Sequence, residues 1–283
     1  MRFIKVHGLG NDFLVVDDRN PLPLEWADVA RRLCDRHTGV GADGILVIQA
    51  STAADLRMRL FNADGSEAEM CGNGIRCVAR LAAAEEWAGS RITWETGAGP
   101  VVTELDDDAV TVDMGAPRFH PRDIPVEATG DEVVDAEIEA AGLRLRMTCV
   151  SLGNPHCMVL VDNVDSYPVA EVGPALEHHP CFPRRTNVEF VQVLSRTLAR
   201  QRTWERGVGE TNACGTGACA TGVALRRLGL VDPPIDVDLS GGRLVIDWDQ
   251  AGHVLMTGPA VEVFRGETAL LPEEVRAAAG RAR

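Results

Sequence analysis

Two cysteines stand in matching settings. Cys71 lies in EAEMCGNGIRCVARL and Cys214 in ETNACGTGACATGVAL, each directly ahead of a Gly-x-Gly and a stretch with helical spacing. A helix N-terminus presents unpaired N–H groups and the positive end of the helix dipole. A thiol placed there is expected to ionise readily, its pKa falling from about 8.5 into the range of about 3.5–7.5. Gly72 and Gly74 let a ligand approach the backbone closely. The same N–H groups can hold a carboxylate. Each stretch therefore offers a reactive sulfur beside an anion cradle. Two such sulfurs on opposite faces of one carbon could remove a proton from one side and deliver one to the other. That inverts configuration by general acid–base chemistry, without metal or organic cofactor. A carboxylate held at the helix ends would stabilise the enolate-like charge.

Other chemistries fit less well. Lysine occurs once, at Lys5, in an apparent first strand far from any glycine-rich phosphate cradle. A pyridoxal phosphate enzyme, which needs a Schiff-base lysine, is thereby disfavoured, and no cofactor is expected. The spacings Cys71–Cys77 and Cys214–Cys219 are poor for zinc, so no metal is expected. Neither Gly-x-Gly carries a phosphate-loop lysine. A redox pair of Cys71 and Cys214 stays open, read as an inactive form.

The bulk numbers agree with a globular enzyme. The chain has 283 residues, 45% of them hydrophobic, enough for one large or two medium domains. A net charge of −14 argues against nucleic-acid and membrane-surface partners. No apolar run approaches the ~20 residues of a membrane span, and MRFIKVHGLGNDF lacks the apolar core of a signal peptide. A cytoplasmic protein is expected. There most of its eight cysteines are small buried hydrophobes rather than disulfide partners.

The chain contains an internal repeat. At an offset of 143 residues, Gly153-Asn154 falls on Gly10-Asn11, Cys214-Gly215-Thr216-Gly217 on Cys71-Gly72-Asn73-Gly74, and NVEFVQ from 187 on GILVIQ from 44. Glu210 falls on Glu67, Gly242 on Gly99 and Gly258 on Gly115. Two copies with so long a period indicate a duplicated domain. Helices are predicted over 73–87 and 216–228, after each CGxG, and over 24–35 and 168–178. Apolar runs such as FLVVDD, GILVIQ, ITWETGAGPVVTEL, CMVLVD, NVEFVQVL, RLVIDWD and HVLMTG read as strands. The class is α+β: two pseudo-symmetric domains, each a mostly antiparallel, curled sheet around a central helix. The expected division is 1–117 and 118–262, with 263–283 returning to the first half and the site in the cleft between.

The motifs KVHGLGNDF, HTGVGADG, FNADGSEAEMCGNGIRC, SLGNPHC, TNVEF and WERGVGETNACGTGACA, in this order, closely resemble the diaminopimelate epimerase family over nearly the full length. The resemblance implies a metal- and pyridoxal-independent epimerase acting on LL- and meso-2,6-diaminopimelate, in lysine and peptidoglycan precursor synthesis. It implies Cys71 and Cys214 as base and acid, each serving one stereochemical direction, with His156 and Glu205 supporting their proton transfers. Asn11, Asn62, Asn154, Asn187 and Arg206 match substrate-binding positions, Glu205 can pair with an ammonium, and the backbone at Gly72-Asn73 and Gly215-Thr216 would hold the reacting carboxylate. Arg206 could take the distal carboxylate in a bidentate pair. Read alone, Asn11 and Asn154 after glycines are turn residues. A homodimer is expected.

Two positions depart from the family. Some members carry Gln where this chain has Gly44, and Trp204 stands where Tyr is frequent. Two other readings compete: a cofactor-independent racemase of proline, hydroxyproline or histidine-like substrates, and a noncatalytic binding or redox-sensing module using the same cysteines. Arg206 and the asparagine set favour a substrate with a distal amino-acid end.

Overall fold

The computed structural model describes residues 1–107 and 109–269, which form two compact units. The first takes Met1–Val112 and the described residues from Pro259; the second takes Asp113–Gly258.

The first unit runs β1 (Arg2–Gly8), β2 (Asn11–Asp17), α1 (Trp26–Leu33), β3 (Gly44–Gln49), β4 (Leu56–Asn62), β5 (Glu67–Ala68), α2 (Gly72–Ala84), β6 (Arg91–Thr96), β7 (Gly99–Asp106) and β8 (Ala109–Asp113). The second runs β9 (Ala136–Ala140), β10 (Leu143–Ser151), β11 (Pro155–Leu160), α3 (Val169–Glu177), β12 (Asn187–Ser195), β13 (Leu198–Glu205), β14 (Gly209–Thr211), α4 (Gly215–Arg227), β15 (Ile235–Leu239), β16 (Gly242–Trp248) and β17 (Val254–Pro259). A last strand, β18 (Val261–Glu267), pairs antiparallel with β1. The two unbroken sheet orders are β18–β1–β2–β3–β4–β6–β7–β8 and β9–β10–β11–β12–β13–β15–β16–β17. Short β5 and β14 sit beside β4 and β13.

The offset of 143 residues survives at atomic register. Phe13 pairs with Gly44 as His156 pairs with Asn187, and Leu46 pairs with Leu60 as Glu189 pairs with Thr203. In each unit the pairs β2–β3 and β4–β6, or β11–β12 and β13–β15, are parallel and the rest antiparallel. The chain is thus the expected α+β duplication, mostly sheet with few helices.

The four helices among the described residues lie close to their predicted spans: α1 and α3 are shorter at both ends, whereas α2 and α4 each start one residue early and end early. ITWETGAGPVVTEL, which reads as one run, is a hairpin: β6 and β7 turn between Thr96 and Gly99, the latter at φ +108°. That angle suits glycine and carries the reversal. α2 and α4 are buried nearly all round. α2 packs against β1, β2 and β7, and α4 against β10, β11 and β16. In α4 the small residues Ala218-Cys219-Ala220-Thr221-Gly222 after the CGxG let the helix sit close on the sheet. Two apolar cores pack with the other helices: Trp26, Ile45, Val47 and Phe61 with α1 in one unit, and Val159, Val172, Val188 and Phe190 with α3 in the other.

Candidate active site

In the first unit, Cys71 is the N-cap of α2, with extended backbone at φ −141°, ψ 120°. Its sulfur accepts from the Gly74 N–H at 3.5 Å, so the thiol occupies the place of a capping side chain. The thiol in turn donates towards Asn11 Oδ1 at 3.7 Å. Asn73 Nδ2 donates to the same oxygen at 3.3 Å, and Asn11 Nδ2 donates to Asp43 Oδ2 at 2.7 Å. Asn11 is therefore fixed beside the sulfur by three contacts. Asn62 does not join this group directly. Its Nδ2 donates to Ser66 Oγ at 2.9 Å, in the turn that joins β4 to β5.

Gly44 pairs with Asn62 across β3 and β4, and a Cβ built on it would lie 2.7 Å from the Phe61 carbonyl oxygen. The Gln of some relatives therefore cannot be grafted onto this backbone without moving β3 or β4. Lys5 is engaged in structure: its ammonium pairs with Asp12 and donates to the Gly41 carbonyl.

In the second unit, Cys214 is the N-cap of α4 in the same extended conformation, φ −114°, ψ 107°. Its sulfur lies 3.5 Å from Thr216 Oγ1. Asn154 Nδ2 donates to that hydroxyl oxygen at 3.2 Å, and the Asn154 oxygen faces His156 Nε2 at 3.0 Å. This arrangement places a proton on Nε2. The other ring nitrogen, Nδ1, lies 2.7 Å from Glu189 Oε1, and both side chains are fully buried. Glu205 accepts from Thr211 Oγ1 at 2.5 Å and acts on Cys214 through its charge. Asn187 spends its amide on backbone: Nδ2 donates to the Pro155 carbonyl and Oδ1 accepts from the Arg206 N–H, both at 2.9 Å. It sets the start of the WERG turn. Arg206 is exposed, its guanidinium donating to the Arg184 carbonyl at 3.3 Å.

The Cys214 thiol differs electrostatically from what its helix position alone suggests. Burial pushes the Cys214 thiol well above its ordinary value, and the carboxylates of Glu205 and Glu189 push it further. The Thr216 hydroxyl and the Gly217 N–H oppose this but do not overcome it. The expected depression therefore fails at Cys214, because a buried sulfur facing two carboxylates outweighs the helix end. Cys214 is held as a thiol, a proton donor. Cys71 is half-buried rather than buried. Burial likewise raises the Glu189 carboxyl, with His156 pulling it back.

These motifs, at these positions of a duplicated α+β fold, match one sequence profile, described as Diaminopimelate epimerase, over residues 3–120 and 148–263. The chain belongs to the diaminopimelate epimerase family. A curated diaminopimelate epimerase of Moorella thermoacetica is 51% identical over 94% of this chain and 99% of its own length. One of Azotobacter vinelandii is 50% identical over 95% and 99%. Among solved structures, a PhzF-family phenazine biosynthesis protein of Bacillus anthracis superposes with a TM-score of 0.69 at 19% identity, covering 95% of this chain and 99% of that one. A hydroxyproline epimerase of Agrobacterium vitis gives 0.67 at 20% identity, covering 96% and 92%. At such identities the likeness is one of fold.

Three residues that sequence reasoning missed support this family site. Arg76, fully buried in α2, donates to the Gly72 carbonyl at 3.0 Å and to Asn73 Oδ1 at 2.9 Å. It stiffens the Gly72-Asn73 turn; α2 carries a second arginine, Arg80, and no local signal in the sequence separates the two. Glu177, at the end of α3, accepts from Trp204 Nε1 at 2.8 Å and from the Gly207 N–H at 2.9 Å. Glu189 is the third. Among the described residues no group of three His, Cys, Asp or Glu could hold a metal ion, and no helix is long and apolar enough to cross a membrane.

Proposed function

We propose that this chain interconverts LL- and meso-2,6-diaminopimelate by a two-base mechanism in which Cys71 and Cys214 act on one α-carbon. The observation that carries the reading is the pair of thiols at the same residue of two matched helices, Cys71 half-exposed and Cys214 kept protonated. One sulfur, as thiolate, takes the α-proton; the other, as thiol, gives its proton to the opposite face. The proton count is unchanged, and the two sulfurs exchange protonation states. Each serves as base in one stereochemical direction.

The α-carboxylate would sit on the N–H groups of Gly72-Asn73 and Gly215-Thr216, where helix ends favour negative charge and stabilise the carbanion. His156 and Glu205 support proton transfer at the cysteines. Asn11, Asn62, Asn154 and Asn187 surround the ammonium and carboxylate groups, with Glu205 pairing an ammonium. Arg206, held out by its turn, takes the distal carboxylate. No metal or organic cofactor enters the reading. With this activity the chain would serve lysine biosynthesis and the supply of meso-diaminopimelate for peptidoglycan, as a cytoplasmic homodimer without nucleic-acid or membrane partners. The net charge of −14 supports the last point.

The test is proton NMR of LL-diaminopimelate in D2O with reduced protein, free of metal and pyridoxal phosphate. Exchange of the α-proton together with appearance of the meso isomer is expected. Folded, reduced protein that leaves the α-proton in place sinks the reading.

A further inference from the structure

At the repeat offset, His156, Glu189, Gln201, Thr203 and Thr221 of the second unit fall on Phe13, Leu46, Met58, Leu60 and Val78 of the first. The strand registers agree, since Val191 pairs with Gln201 as Ile48 pairs with Met58. All ten side chains are buried. Equivalent positions within and beneath equivalent helices are thus polar in one unit and apolar in the other. The fold itself is content with Leu at the place of Glu189. Burying a carboxylate costs several kcal/mol unless it is well paired, and Glu189 Oε2 has no hydrogen-bond partner among the described residues. A packing role does not explain this residue.

Its contacts do. Glu189 Oε1 is 2.7 Å from His156 Nδ1. A Cβ on Gly217 would lie 2.7 Å from the same oxygen, so the carboxylate presses against the first turn of α4. From His156 a line of contacts runs through Asn154 Oδ1 (3.0 Å), Thr216 Oγ1 (3.2 Å from Asn154 Nδ2) and Cys214 Sγ (3.5 Å). With Nε2–H donating to Asn154, and Asn154 donating to Thr216, the threonine hydroxyl is left to donate to the sulfur. The other titratable groups near Glu189 are His156 and Cys157 on β11, Glu205 on β13 and Cys214 at the start of α4.

We propose that Glu189 is a positioning residue for the epimerisation, holding His156 by Nδ1 so that His156, Asn154 and Thr216 form one oriented line of hydrogen bonds ending on the Cys214 sulfur. This rests on the two-cysteine reading above. Carboxylates that orient a metal-ligating histidine are typically worth about 10–100-fold, and the same scale is taken for this metal-free histidine.

The experiment compares Glu189→Leu, which installs the first unit's residue, with Glu189→Gln, which keeps a hydrogen-bonding group opposite Nδ1. Glu189→Leu is expected to lower kcat by about 100-fold with KM little changed, and Glu189→Gln to stay within about tenfold of wild type. Thr221→Val, which removes a neighbouring buried hydroxyl outside the line, leaves kcat unchanged. The second readout is the buried proton between His156 Nδ1 and Glu189 Oε1 in the proton NMR spectrum, assigned by its loss in His156→Asn. It persists in wild type and Glu189→Gln and disappears in Glu189→Leu. The proposal is overturned if Glu189→Leu keeps wild-type kcat, keeps the ring signal, or loses activity only in proportion to its folded fraction. Should Glu189→Leu fail to fold, Glu189→Asp, which keeps the charge but draws it back from Nδ1, carries the same expected loss; wild-type kcat there overturns the idea equally. Absence of α-proton exchange in wild type would remove the epimerase reading, while the ring-proton readout still decides the role of Glu189.

Discussion

A thiol at a helix start does not have one fixed chemistry; its surroundings choose it. Cys71 and Cys214 share an N-cap position, but Cys214 is buried against the charges of Glu189 and Glu205, whereas Cys71 is half-exposed and capped to Gly74. Thiolate fraction and access govern alkylation. In ligand-free protein at pH 8, iodoacetamide is therefore expected to label Cys71 at least about tenfold faster than Cys214, read by mass spectrometry of the two peptides. Equal rates would contradict the asymmetry. Cys71→Ser and Cys214→Ser should each lose at least about 100-fold in kcat, since a serine hydroxyl neither ionises nor donates as a thiol does.

At the scale of elements, the two CGxG helices are held against different partners. A Cβ on Gly217 would meet Glu189 Oε1 at 2.7 Å and Gln201 Nε2 at 3.1 Å, whereas one on Gly74 would meet the Leu46 Cδ2 methyl at 3.0 Å. Gly217→Ala should therefore destabilise by about 1–3 kcal/mol, and Gly74→Ala by at most about 1 kcal/mol because a methyl rotor gives way and alanine favours the helix. Urea unfolding of the two variants checks this; the reverse order would refute the packing argument. The sequence showed these helices plainly, since Cys-Gly-x-Gly followed by helical spacing is a local signal. It showed β4 and β13 poorly. LRMRLFN and LARQRTWE carry arginines at alternate positions, which broke the apolar runs used to find strands. It hid Glu189 altogether. Alternation along NVEFV places that glutamate on a wet face, but β12 packs against both α3 and α4, and Asn187–Val191 are all buried. A sheet covered on both faces loses the period that reveals what is inside. The pairing of Cys71 with Cys214 was legible because a duplication repeats its motif in order. The asymmetry beneath it was not, because it depends on side chains meeting across strands.

For the molecule as a whole, acidic surface and paired carboxylates set the response to pH. Hydrogen bonds from arginine hold Asp17, Glu67 and Glu262 below the ordinary carboxylate range. Asp12 is the extreme case: burial alone would raise it, but the hydrogen bonds and charges of Arg36 and Lys5 bring it down to about 2. A carboxylate whose folded pKa is depressed stabilises the fold above its unfolded pKa. That stabilisation is lost as pH falls through the folded value. The window here runs from the ordinary 3.8 of Asp12 down to about 2. Glu189, with its raised pKa, works the other way and at higher pH: its cost to the fold is relieved as pH falls through its folded value towards the ordinary 4.5, before the loss begins. The urea midpoint is therefore expected to stay level from about pH 7 to 5 and to fall steeply between about pH 4 and 2. Asp12→Asn isolates one contributor. Because Asp12 is partly solvated, its share is about 1 kcal/mol at pH 7 rather than the full value of the shift. The difference between Asp12→Asn and wild type should shrink towards zero below about pH 2. A difference that stays constant across that range would mean that Asp12 acts by shape and hydrogen-bond count, and that charge pairing around Lys5 and Arg36 contributes nothing to acid sensitivity.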